Sequence, residues 1–406
     1  MQLSIYINVS NNNDKILKAS IKNRIQSLDF LKGIVLILMA LDHTRDFFHN
    51  DAFSINPTDP NTADWFVFIT RWITHFCAPV FCFLAGISAF LISRKKTKNQ
   101  LAKFLLKRGI WLIFIELTLV NFAWNFDIYF TYNELAVIWS LGMSMVLLAG
   151  IIYLPKNIIL LISVILIFGH NLLDSLNFNE SFLWSLVHQE NGVNIFGGRR
   201  LYVSYPIIPW VGVMSLGFWF GALYNKTVDV KFRKKALNIL GVSLIALFII
   251  LRYSNYYGDL NQWQGYNNIS KTLMSFMATT KYPPSLLFLL MTLGPSFLFL
   301  ANTEKLKGKV VSFFQTFGRV PFFYYILHLY LIHFLAGIMA KLTGFGWTMM
   351  VLPKWVTDME ELKGYGFNLW IVYVVWIFII LLLYPLCKKF DKYKMNNKDK
   401  KWLSYL

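Results

Sequence analysis

The residues best suited by type to move a proton sit together in LDHTRDFF, where Asp42, His43, Arg45 and Asp46 follow an apolar run from Ile34 to Leu41. Near neutral pH an imidazole can take up and return a proton, which is what a general base must do. Asp42 or Asp46 could orient the His43 ring or balance a positive charge on it. Lys32 stands at the other end of the apolar run, with ten residues between it and His43. Further ionisable groups fall in apolar surroundings. Arg71 and His75 are four apart and so share one helical face. Glu116 lies midway along IWLIFIELTLVNFAWNF, and His328 is flanked by Tyr324 and Tyr325. In a spanning helix each such group costs several kcal/mol unless paired or wetted, which makes it a functional candidate. Glu116 is expected to pair with Lys32 or Arg71, or else to line a wet cavity.

Metal and nucleotide chemistry find little support. His328 and His333 are five apart, about 140° around a helix, so they cannot chelate one ion from a common face. No HExxH or CxxC motif occurs, and no metal is expected. There is no GxxxxGK[ST] loop and no GxGxxG. Candidate anion contacts are Lys107 and Arg108, at the start of one helix, and Arg319 in FGRVP, at the expected start of another. His49 follows the first helix as a weaker proton-handling candidate.

These groups need a scaffold, and the composition identifies it. Hydrophobic residues make up 56% of the 406-residue chain and charged residues 15%. A soluble domain would carry about a quarter charged residues. The expected fold is therefore all-α, a polytopic membrane protein. Ten segments are long enough to span: 29–48, 67–92, 105–126, 134–153, 157–174, 205–224, 236–252, 283–301, 320–340 and 368–387. The stretch 341–353 is read as interfacial and leaves an eleventh open. With the N-terminus inside, the cytoplasmic segments hold 28 basic residues and the outer ones 10, which places both termini in the cytoplasm. The net charge of +18 is then a topological signal, with anionic lipid as its contact rather than nucleic acid. Residues 1–26 are expected as a polar tail without a cleavable signal, 27–387 as one membrane domain and 388–406 as a basic tail. The three cysteines are too few for a disulfide framework. Outer loop 49–66 carries three aspartates, 175–204 contains FGGRR, and 253–282 is rich in Tyr, Asn and Gln. Such side chains suit sugar contacts and also the ordinary interfacial belt.

The Lys32-x10-His43 spacing resembles the Arg-x10-His signature of the acyltransferase-3 membrane proteins, with Lys in place of Arg. The wider chain resembles the heparan-α-glucosaminide N-acetyltransferase catalytic-domain family. That likeness is carried by SLDFLKGIVLILMALDHTRDFF, RWITHFCAPVFCFLAGISAFL, KRGIWLIFIELTLVNFAW, YPIIPWVGVMSLGFWFG, KYPPSLLFLLMTLGP and FGRVPFFYYILHLYLIH. It implies transfer of an acetyl group from cytoplasmic acetyl-CoA to an amine or hydroxyl of a sugar or glycan acceptor across the membrane. It further implies a multi-pass protein of the cytoplasmic (inner) membrane. His43, with Asp42 and Asp46, would be catalytic. Lys32, Arg71, His75, Glu116, His328 and His49 would surround the pocket, and Lys107, Arg108 and Arg319 would meet the CoA phosphates. The family's lysosomal member has Asn where His43 stands, so that role rests on the acyltransferase-3 match. A second copy of the chain (a homodimer) is an open partner. The rival reading is a proton-coupled transporter with His43, Glu116 and His328 as relay sites, against which the lack of a paired inverted repeat weighs.

Overall fold

The computed structural model describes residues 25–176, 178 and 181–405; all but two residues of the tail expected over 1–26 lie outside them. The chain is mostly helical. Helix α1 runs Gln26–Phe48 and is buried on almost every side, as its uninterrupted apolar centre requires. Helices α2 (Trp65–Thr74) and α3 (Cys77–Ser93) form one run with a break at His75 and Phe76, and Asp64 caps the first by accepting from Phe66 and Val67 N–H. Helix α4 (Lys98–Ile115) opens on a capping box of Thr97 and Gln100. It passes into a π-helical turn at Glu116–Val120 and then α5 (Asn121–Asn125).

Strand β1 (Tyr132–Leu135) leads to α6 (Val137–Ile151), α7 (Lys156–Gly169) and the short α8 (Phe182–Val187). A hairpin follows, β2 (Asn191–Ile195) and β3 (Arg199–Val203). Strand β3 pairs antiparallel with β2 and parallel with β1, making a three-stranded sheet in the order β1-β3-β2. The remaining helices are α9 (Ile207–Phe220), α10 (Val230–Ser254), α11 (Ile269–Met277), α12 (Leu286–Thr303), α13 (Lys309–Arg319), α14 (Pro321–Leu342) and α15 (Leu369–Asn396).

Each of the ten predicted segments is helical, although 67–92 and 105–126 each run across a break or π turn and the ends differ by up to nine residues. Seven helices among the described residues are long and apolar enough to cross a membrane. The others fall short for visible reasons: α1 has charged ends, α4 gives way to the π turn, and α6 has only 15 residues. The all-α reading holds for the bulk of the chain, to which residues 132–135, 191–195 and 199–203 add one small three-stranded sheet. One expectation needs correction. Arg319 does not start the ninth expected helix. It ends the amphipathic α13, and Pro321 opens α14 one residue after Val320.

Helix α1 is the hub. It packs against α2, α3, α12, α13, α14 and α15. At its N-terminal half the approach to α13 is backbone on backbone. A Cβ added at Gly33 would collide with the Phe314 carbonyl, and one at Gly318 with the Asp29 carbonyl. Only glycine permits such contact, the small-residue solution of membrane helix pairs.

Candidate functional site

The C-terminal half of α1 opens onto a cavity of about 1200 Å³. Asp42, His43, Arg45 and Asp46 form one wall, and Arg71 and His75 from the α2–α3 break extend it. The sheet adds Tyr132, Glu134, Arg200 and Tyr202. The outer loops 49–66, 175–204 and 253–282 all contribute, the last through Asn261, Gln262, Gln264 and Tyr266. Trp355 and Asp358 complete the rim.

His43 lies against this space with one ring nitrogen committed. Its Nδ1 is 2.9 Å from Nε2 of His328, and the two rings stack at 5.0 Å, 6° from parallel. His328 Nδ1 is 2.9 Å from the Tyr324 carbonyl oxygen, which can only accept. For neutral rings the proton order follows. His328 donates through Nδ1, so its Nε2 is bare and accepts from His43 Nδ1–H. His43 Nε2 is thereby left as the nitrogen with the free lone pair. Trp124 meets the His43 ring edge-on at 4.7 Å and Tyr325 at 6.4 Å, limiting its rotation.

The carboxylates beside it have other partners. Arg71 Nη1 donates to Asp42 Oδ1 at 2.7 Å, Arg45 Nη2 lies 3.2 Å from the same oxygen, and Lys281 Nζ is 3.9 Å from Oδ2. Asp46 accepts from Arg45. The orienting group for His43 is therefore His328, while Asp42 and Asp46 offset three buried cations. Arg45 Nη1 and His75 Nδ1 are buried without a hydrogen-bond partner among the described residues.

Across the cavity, burial pushes the Glu134 carboxyl up to about 7, against the opposing pull of a Ser204 hydrogen bond. Burial does the same to Glu190, also to about 7, although the Tyr202 hydroxyl donates to it at 2.7 Å. Glu134 in β1 and Glu190 just before β2 are thus two carboxyls whose charged forms burial disfavours.

The other expected residues are elsewhere. Glu116 pairs with neither Lys32 nor Arg71. Its Oε2 accepts at 2.8 Å from the Trp139 backbone N–H, a first-turn donor of α6 that has no partner within its own helix. Arg71 is engaged by Asp42 instead. Lys32 lies on the far half of α1, and His49 ends that helix in a bridge to Phe367; neither lines the cavity. Arg319 Nε donates to Asp391 Oδ2 at 2.7 Å. Lys107 and Arg108 occupy α4 one turn before Trp111, which packs on Phe322 at 4.9 Å and on Tyr405 at 5.2 Å. These cations are thus near the α13–α14 junction but not in the cavity. His333 is a structural pin, with Nδ1 2.8 Å from the Ala123 carbonyl and Nε2 2.7 Å from that of Met350. Among the described residues no group of three or more His, Cys, Asp or Glu could hold a metal ion.

Lys281, Glu134 and Glu190 escaped the sequence reading. Lys281 and Glu190 fall outside the expected helices, where charge is unremarkable, and Glu134 opens the segment expected over 134–153, where a charge reads as a helix end; only the density of Tyr, Asn and Gln around Lys281 hinted at a wet wall.

The family model described as "Heparan-alpha-glucosaminide N-acetyltransferase, catalytic" matches residues 24–251, more than half of the chain. The match takes in α1, the α2–α3 break and the whole sheet, and ends within α10. No curated protein matches.

Proposed function

We propose, for a chain that belongs to the heparan-alpha-glucosaminide N-acetyltransferase catalytic family, that it transfers an acetyl group from acetyl-CoA to an amine or hydroxyl of a sugar acceptor held in the cavity at the C-terminal half of α1. The observation that carries the reading is the arrangement of His43, with Nδ1 engaged by His328 and Nε2 bare beside a polar cavity. In the reaction His43 Nε2 takes the proton of the acceptor N–H or O–H as that atom attacks the thioester carbonyl. His328 fixes the tautomer, and the resulting imidazolium gives the proton to the departing thiolate. Asp42 keeps Arg71 in place and steadies the positive charge that His43 acquires.

The acceptor enters from the outer side, where amide and aromatic side chains suit a hydroxyl-rich ring. The donor comes from the cytoplasmic side, with Lys107 and Arg108 as phosphate contacts. Arg319 is a weaker contact, because Asp391 already holds it. From Lys32 to His43 the helix rises about 16 Å, a distance that a pantetheine arm can span.

The test uses purified protein in detergent with acetyl-CoA and an amino-sugar acceptor. Free thiol should appear in step with acetylated product. His43→Ala should lower the rate about 10³-fold, with the variant still monodisperse and melting cooperatively. Thiol release that does not need the acceptor, or survives His43→Ala, overturns the assignment.

A further inference from the structure

The turn that carries Lys281 is held more firmly than a connecting loop requires. Asp259 accepts from Thr280 N–H at 2.9 Å, from the Thr280 hydroxyl at 2.6 Å and from the Ser285 hydroxyl at 2.7 Å. Arg252, buried and lining the same cavity, donates to the Ala278 carbonyl at 2.6 Å and to that of Ser275 at 2.8 Å. On the other side His170 Nε2 lies 2.8 Å from the Pro284 carbonyl, and Asn171 Oδ1 accepts from Leu286 N–H at 2.9 Å. Polar groups from three separate segments, Arg252 and His170 buried and Asp259 and Asn171 half-buried, therefore converge on residues 278–286. Each would cost stability if left unmatched. The product of this investment is one side chain, Lys281, fixed where it faces the cavity.

That side chain is poorly consumed by its surroundings. The side chain is about nine-tenths buried, and its ammonium lies 3.9 Å from Asp42 Oδ2 and 5.0 Å from the centre of the Tyr282 ring. The first distance permits charge pairing but exceeds a hydrogen bond. Asp42 is already taken by Arg71. Lys281 thus keeps N–H donors without an acceptor among the described residues, on the wall it shares with His43 and close enough for their charges to interact.

We propose that Lys281 is a further catalytic residue, the donor that stabilises the oxyanion formed on the thioester carbonyl. The proposal rests on the acyl-transfer reading above. As the acceptor nitrogen or oxygen bonds to the carbonyl carbon, its proton passes to His43 Nε2 and the carbonyl π pair moves onto oxygen. The Lys281 ammonium donates to that oxygen. Collapse restores the carbonyl and breaks the carbon–sulfur bond, and the thiolate takes the proton from His43. A charged donor set in place before the reaction needs no reorganisation at the moment charge develops. The unusual bracing of the turn is the expected cost of such placement.

The experiment compares wild type, Lys281→Met and Lys281→Arg in detergent, following thiol release from acetyl-CoA with an amino-sugar acceptor. Lys281→Met should lower kcat about 10²- to 10³-fold, with KM for both substrates within about threefold, and Lys281→Arg should recover part of the loss. Chloroacetyl-CoA, whose oxyanion is intrinsically more stable, should suffer a smaller loss than acetyl-CoA in Lys281→Gln. That second variant serves if Lys281→Met does not fold. A kcat within threefold of wild type, a loss confined to KM, or equal losses for the two thioesters overturns the proposal. If wild type releases no thiol with any acceptor, the acyl-transfer reading itself fails; if wild type is active and the Lys281 variants are unimpaired, only this inference does.

Discussion

The two halves of α1 show what one continuous helix can be made to do. Around Gly33 it is pressed so closely against α13 that a single methyl group has no room. Around His43 it borders a cavity of about 1200 Å³ lined by charge, amide and phenol. Ten residues separate these regimes. Under the proposed function the closed half supplies rigidity and the open half reactivity, and the second needs the first. A base must be held to within a fraction of an ångström of its productive position, so its support has to be packed and not hydrated. The same contrast sorts the buried histidines. Each ring nitrogen of His333 is closed off by a carbonyl oxygen, whereas His43 has one nitrogen engaged by His328 and the other beside the cavity.

The severest way to break the contrast is to attack the closed half. Gly33→Val would force α1 and α13 apart at a backbone contact, at a cost of about 3 kcal/mol or more. The variant should lose most of its activity although every cavity residue is intact, and thermal melting should report the loss directly. Normal melting with normal turnover would show that the packed half is not what positions His43.

A smaller effect is expected within the open half. His328→Phe keeps bulk but removes the acceptor for His43 Nδ1–H, so the ring loses its preferred tautomer and orientation. Thiol release should fall about 10²-fold in kcat, with KM and melting little changed. The matched control is His333→Phe, which removes a buried ring lodged between two carbonyl oxygens and should lower the melting temperature while sparing the rate per folded molecule. If the two variants behave alike, the distinction between the committed and the open histidine fails.

How much of this was legible in the sequence follows physical lines. Spanning helices announce themselves by length and hydropathy, so each of the ten expected segments is helical, and α1 could be singled out by the charge at its ends. His43 and Arg71 were visible because charge is expensive in an apolar run. The partner of His43 was not. His328 is 285 positions away, and Asp42, adjacent in sequence, looked the better orienting group until Arg71 was found to occupy it. Glu116 misled for a similar reason. Sequence counts its charge, but only the fold reveals that a backbone N–H from α6 meets it. Lys281 and the sheet carboxylates were hidden because polar loops give no periodic signal, and their role depends on which loops converge.

The mildest test bears on the sheet that closes the cavity opposite α1. Glu190 titrates near 7 in the folded protein against 4.5 for the ordinary side chain, because burial penalises its charged form. A carboxyl raised in this way contributes stability that is fully present below about pH 4.5 and is lost as pH rises through 7. Glu190→Gln stays neutral and still accepts from Tyr202, so it should leave melting nearly unchanged at pH 4.5 and raise it at pH 8.5. The group is only partly buried, so solvent screening reduces the gain to about 1 kcal/mol, or about 1 °C in a chain of this length. Melting curves of wild type and variant at the two pH values measure it. An equal difference at both would mean that Glu190 carries no strained charge and that the outer wall, like the closed half of α1, is purely structural.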